Sequence, residues 1–152
     1  MTAAVFVDST TLLYSQDRRD PRKQERAVAW LKALVTSNAL TLSLQVLNET
    51  YGVVRRKPEF AHWRSDVRRF LVDQMLWAPA PLTGEDIEAA WRLEDRYRIA
   101  YWDALLLASA NRAGCDYFLS EDLNDGQLYG TVRALNPFRH SPEDVLGPAV
   151  SS

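Results

Sequence analysis

The sequence predicts an α/β fold with a central, mostly parallel sheet and helices on both faces. Two observations carry this prediction. Short apolar runs rich in β-branched and aromatic residues stand at Val5-Phe6-Val7, Tyr117-Phe118-Leu119 and Val132 to Leu135. Between the first two lie long stretches whose apolar residues recur at helical spacing. Short apolar strands separated by helices bury both sheet faces, as parallel sheets require.

The first strand, Val5 to Val7, ends at Asp8-Ser9-Thr10, a good helix N-cap sequence. Pro21 precedes a helix from Arg22 to Ser37, in which Ala27, Trp30, Leu31, Leu34 and Val35 share a face. Leu40 to Leu44 is short and extended, and Val46 to Val54 returns to helical spacing until Pro58 stops it. Phe60 to Leu76 reads as one amphipathic helix carrying Trp63, Val67, Phe70 and Leu71, and Trp77 to Leu82 as a short strand and connector. Thr83 caps the next helix, with Asp86 completing an imperfect capping box, and that helix runs to about Tyr97. Tyr101 to Ala113 is a nearly uninterrupted apolar helix closed by Gly114. Strands at Tyr117–Leu119 and Val132–Leu135 complete the set, so residues 1–146 form one domain and 147–152 a frayed tail.

The chain has 152 residues, enough to bury about 70% of its unfolded surface without a staple. Cys115 is the only cysteine, which excludes an internal disulfide and suits a reducing compartment. The N-terminus lacks the charged and apolar regions of a signal peptide, and no apolar run approaches the roughly 20 residues of a membrane span. A soluble cytoplasmic protein is expected. The net charge of −2 selects no partner, although basic residues cluster at Arg18 to Lys23, Arg55 to Lys57 and Arg64 to Arg69.

Chemistry is expected beyond the carboxyl ends of the strands, where parallel sheets bind their ligands. Asp8 follows the first strand directly, and Asp122 lies just past Tyr117–Leu119, within Ser120-Glu121-Asp122-Leu123-Asn124-Asp125-Gly126. Asp103 occupies the first turn of the apolar helix, and Glu49 lies in the helix after Leu40–Leu44. Each acid has a structural explanation. Asp8 can cap a helix, Asp103 can complement a helix dipole, Glu49 can face water, and Asp122 and Asp125 can shape a turn. None of these accounts for several acids at one end of the sheet. Carboxylates gathered there repel one another unless a cation sits among them. All-oxygen ligation suits Mg²⁺ or Mn²⁺, and phosphodiester hydrolysis is the chemistry such a site supports. His62 and His140 are not needed for it.

These residues resemble the PIN-domain proteins, and within them the VapC-type toxins. The marks are Phe6-Val7-Asp8-Ser9, Gln45-Val46-Leu47-Asn48-Glu49, Tyr101-Trp102-Asp103-Ala104-Leu105-Leu106 and Ser120 to Gln127, followed by Leu135-Asn136-Pro137-Phe138. The resemblance implies a three-layer α/β/α sandwich and Mg²⁺- or Mn²⁺-dependent endoribonuclease activity. It carries over Asp8, Glu49, Asp103 and Asp122 as the catalytic acids. Asp8 and Asp103 would be the most direct metal ligands, with Asp122 also in the metal set. Glu49 and Asp122 would act through water or orient the nucleophile. Ser9, Asn48 and Ser120 would support them, with Asp125 close by, and Glu121 or Asp125 competes with Asp122 for the fourth place. Toxins of this kind pair with a small antitoxin protein and form homodimers. Trp30, Trp63 and Phe70 could face such a partner, although core packing is the simpler account.

Three other Asp-led sites fit less well. A haloacid-dehalogenase-type phosphatase needs a second Asp where Thr10 stands, and a receiver domain needs an acidic pair before the first helix. A dinucleotide site needs glycines where Ser9-Thr10-Thr11 stand. The remaining rival is a PIN-like module that binds RNA or protein without cutting.

Overall fold

A computed structural model of the chain describes residues 3–78 and 81–148. Five strands form one sheet: β1 (Val5–Val7), β2 (Leu40–Thr41), β3 (Tyr117–Leu119), β4 (Leu128–Tyr129) and β5 (Val132–Leu135). Their order across the sheet is β2-β1-β3-β5-β4. β2, β1, β3 and β5 run parallel, and only the edge strand β4 runs antiparallel, against β5. Helices α1 (Ser9–Gln16), α2 (Pro21–Thr36), α3 (Leu44–Arg56), α4 (Arg64–Gln74), α5 (Gly84–Tyr97), α6 (Tyr101–Arg112) and α7 (Glu143–Leu146) accompany the sheet. The result is the expected three-layer sandwich. No helix among the described residues is long and apolar enough to cross a membrane.

The inner strand β1 is wholly buried, and Phe6 stacks on Phe118 of the central strand β3 with ring centroids 5.2 Å apart. Two parallel strands buried on both faces leave no room for alternation, which is why both read as uniformly apolar. The chain leaves β1 toward β2 on one side and returns to β3 on the other. The gap between β1 and β3 is therefore the point where strand order reverses, and it opens at their carboxyl ends.

Trp30 is fully buried in α2, and its indole N–H donates to the Pro137 carbonyl at 2.8 Å. Trp63 and Phe70 pack partly buried against the same core. Core packing, the simpler account of these aromatics, holds for Trp30, which is bonded to the segment after β5.

Two expectations change. The helix expected over Phe60–Leu76 is an α-helix only from Arg64 to Gln74, preceded by a 3₁₀ segment (Pro58–Trp63) and followed by another (Met75–Trp77). Pro58 opens the first 3₁₀ segment and turns Phe60 into the core, where it meets Trp63 edge-on at 5.5 Å. The strand expected at Trp77–Leu82 is not seen among the described residues, and residues 79 and 80 lie outside them. Trp77 instead ends a 3₁₀ turn, and its carbonyl accepts from Leu42 N at 3.1 Å. Within the expected tail of residues 147–152, Gly147 closes α7, its N–H bonding Glu143 O, and residues 149–152 lie outside the description. The capping box of α5 is complete: Asp86 N donates to Thr83 Oγ1 and Thr83 N donates to Asp86 Oδ2.

The β4–β5 hairpin was not anticipated. Its turn depends on Gly130, which adopts φ +66°. A Cβ there would lie 2.6 Å from Asn111 Oδ1. Asn111 cannot step aside cheaply. Its amide donates to Leu107 O and Tyr129 O and accepts from the N–H and hydroxyl of Thr131. Gly130→Ala should therefore destabilise the protein by about 1–3 kcal/mol through both the backbone and the displaced amide. Urea denaturation would measure this. An unchanged midpoint would show that Asn111 yields without loss.

Candidate active site

Asp8 stands where β1 gives way to α1, and it is the N-cap of that helix. Its Oδ1 accepts from Thr11 N at 2.9 Å and from the Thr11 hydroxyl at 2.7 Å. The Ser120 hydroxyl, fully buried at the end of β3, also supports this carboxylate. Capping is thus part of what Asp8 does, but it occupies only one oxygen. The carboxylate is 3% exposed, and burial raises its pKa to about 7 against the Thr11 and Ser120 hydrogen bonds, with the Asp122 charge adding to the rise.

The other acids adjoin Asp8 in sequence-distant steps. Ser120 Oγ accepts from Asp122 N at 3.1 Å, so one hydroxyl braces both Asp8 and the start of the next loop. Thr10 Oγ1 lies 3.4 Å from Asp122 Oδ2. Asp103, half-buried in the first turn of α6, has its pKa raised by burial and then by the charges of Asp122 and Glu49. Glu49 accepts from Gln45 Nε2 at 3.1 Å, one turn back on α3. The field therefore runs from Asp8 to Asp122 to Asp103 to Glu49. Ser9 is the first residue of α1, and Asn48 is exposed on α3 beside Glu49.

The two acids that competed with Asp122 have other partners. Glu121 Oε2 pairs with Lys23 Nζ on α2 at 3.0 Å. Asp125 accepts from Asn136 N at 2.9 Å and meets His140 Nε2 at 2.9 Å, and the Asn136 bond with the His140 contact holds its carboxyl below the usual range. Sequence reasoning missed Lys23, counting it among surface charges, and missed Thr10 and Thr11. Thr11 was discoverable, since an N-cap carboxylate bonds the residue three positions on.

Among the described residues, no Lys or Arg forms an ion pair with Asp8, Asp103, Asp122 or Glu49. The donor set is all carboxylate, the chemistry of a hard divalent ion. Among the same residues no group of three acids, His or Cys already stands close enough to share one ion. A separate groove of about 690 Å³ opens between α3 and α4, lined by Leu44, Gln45, Asn48, Tyr51, Arg68 and Met75 among others.

The sequence profile of the PIN domain matches residues 5–125, most of the chain and all four acids. The chain belongs to the PIN domain family. Its fold is similar to that of Mycobacterium tuberculosis VapC20, a toxin that cleaves the sarcin–ricin loop, with a TM-score of 0.58 and 19% sequence identity. The match covers 86% of this chain and 99% of VapC20. No curated protein matches the chain closely.

The raised pKa of Asp8 makes a stability prediction for the protein kept in chelator. Below about pH 4 the carboxyl is protonated in both folded and unfolded chains. Between about pH 4 and pH 7 only the unfolded chain ionises, so folding stability falls as pH rises through that window. The loss is roughly 4 kcal/mol at most. Asp8→Asn keeps the cap acceptor and removes the charge. It should be more stable than wild type at pH 8 and nearly equal at pH 4 in chemical denaturation. Equal stabilities at both values would mean that Asp8 is not desolvated.

Proposed function

We propose that this PIN domain is a metal-dependent endoribonuclease, the toxin of a toxin–antitoxin pair. Asp8, Asp103 and Asp122 would bind Mg²⁺ or Mn²⁺, and Glu49 would complete the catalytic set. The observation that carries this reading is the buried Asp8 carboxylate, coupled to Asp122 at the strand-order reversal and paired with no basic side chain among the described residues. A charge buried without a partner is costly. A cation recruited from solution accounts for its retention.

Such an ion, when bound, supplies Lewis-acid polarisation of a phosphodiester and a more acidic water. The protein's part is geometric. Thr11 and Ser120 hold Asp8 in one orientation, with Oδ1 committed to Thr11. Asp103 faces the same space from α6, near the positive end of its helix. Glu49, at the margin, orients the attacking water and takes its proton as the P–O ester bond breaks, the leaving oxygen being protonated from solvent. Ser9 and Asn48 flank this space as supporting groups, and Asp125 contributes indirectly by shaping the loop.

RNA as the substrate class, and a cytoplasmic setting with it, rest on the PIN family and on the likeness to VapC20. A protein antitoxin is supported by the α3–α4 groove, where Leu44, Val72 and Met75 are each half or more exposed beside the Glu49 helix. A homodimer belongs to the same reading.

Purified protein should cut total RNA with Mn²⁺ or Mg²⁺ and not in EDTA. Asp103→Asn should lose more than about 100-fold of that activity, beyond the effect of residues that merely touch a metal ligand, with an unchanged circular dichroism spectrum. Near-wild-type cleavage by this variant would remove Asp103 from the site. Inactivity of the wild type together with no Mn²⁺ binding would favour a module that binds without cutting.

A further inference from the structure

Lys23 is held more completely than a surface lysine. From the first turn of α2 its Nζ reaches Glu121 Oε2 at 3.0 Å and the Tyr14 hydroxyl at 3.2 Å. It also lies 4.4 Å from the centroid of the Tyr14 ring and 4.8 Å from that of Phe138. The two rings meet edge-on at 5.2 Å, so α1, the loop after β3 and the segment after β5 all converge on one ammonium. Holding a lysine this way costs rotamer entropy, which an ordinary exposed ion pair does not recover. Cation–π contacts and partial burial change that balance.

The loop that Lys23 grips is the one that carries Asp122. Its carboxyl-terminal side is gripped too, because Asp125 bonds Asn136 N and His140. Between these anchors Asp122 is the acid that faces Asp8 and Asp103. Glu121, released from Lys23, would be a fifth carboxylate one residue from the cluster, able to turn toward it and displace Asp122.

We propose that Lys23, through its ion pair with Glu121 and its seat on Tyr14 and Phe138, is a positioning residue that presents Asp122 rather than Glu121 to the metal site. The inference rests on the metal-dependent reading above. It assigns the choice between neighbouring acids to a residue on another helix.

Hydrogen exchange tests the grip without any metal. The amides of Asp122 and Asn124, which donate to Ser120 Oγ and the Tyr129 hydroxyl, report on the loop; Gly126 N, bonded to Ala134 O on β5, is the reference. Lys23→Met and Glu121→Gln should each speed exchange at Asp122 and Asn124 about 10-fold or more, and leave Gly126 unchanged. Calorimetry of the same full-length proteins should show Mn²⁺ binding weakened about 10- to 100-fold. In RNA cleavage kcat should fall with KM little changed. The double variant should be no worse than Lys23→Met alone, and exchanging the two residues (Lys23→Glu with Glu121→Lys) should restore part of the Mn²⁺ affinity.

Wild-type exchange and Mn²⁺ affinity in both single variants would overturn the proposal. So would faster exchange that includes Gly126, which would mark a general structural role. If Lys23→Met fails to fold, the nearly isosteric Glu121→Gln decides. A wild type that binds no Mn²⁺ would overturn the metal-dependent reading and the metal half of this inference, while the exchange result would still say whether Lys23 fixes the loop.

Discussion

The buried carboxylate of Asp8 is the constraint around which the rest of the site is arranged. It lies at the carboxyl end of a strand with no solvent on either face, so it cannot be hydrated as a surface acid is. Thr11 and Ser120 satisfy part of its hydrogen-bonding capacity and hold its orientation. They do not neutralise it. In low dielectric a charge of this kind either takes a proton or takes a cation, and the neighbouring acids set the second outcome against the first. Asp122 alone would favour the proton; the proposed divalent ion, bound by Asp8 with Asp122 and Asp103, would reverse that preference.

The fold makes such a meeting of acids possible. Asp8 and Asp122 are far apart in sequence but follow adjacent parallel strands, so they emerge on one edge of the sheet. Asp103 and Glu49 arrive from helices that pack beside that edge. Polar residues near the edge are divided between two tasks. Some face the acids: Thr10, Thr11 and Ser120. Others hold the loop from outside: Lys23 on Glu121, His140 and Asn136 on Asp125. Of the basic residues clustered in the sequence, four form ion pairs among the described residues, and of these only Lys23 holds the loop. Arg19 pairs with Asp17, Arg18 and Arg69 share Asp66, and Lys23 serves the loop.

Partner recognition is a separate matter of surface. Trp30 is held in the core by a hydrogen bond to the chain after β5. Of the exposed large apolar residues, Leu44, Val72 and Met75 line the α3–α4 groove. A large aromatic in an amphipathic helix usually marks the buried side, and the exposed patch was assembled from residues at two helix ends that no single periodicity joins.

The sequence by itself determined what short-range physics can encode. The strands of the parallel sheet were readable from their apolar runs, the helices from their spacing, and α5 from its capping box. Asp8 was recognisable because its position between a strand end and a helix start, as an N-cap, is a local fact. The break at Pro58–Trp63 and the β4–β5 hairpin were less readable, since the first depends on the burial of Phe60 and the second on a turn held by Asn111 from α6. Among Glu121, Asp122 and Asp125, the family resemblance favoured Asp122, but local sequence left Glu121 and Asp125 as rivals within one turn-forming segment. Lys23, 98 residues away, pairs with Glu121; Asn136 and His140 hold Asp125; and the buried Ser120 hydroxyl accepts from the Asp122 amide. Contacts of the first two kinds exist only once the chain has folded, so only the tertiary structure could reveal them.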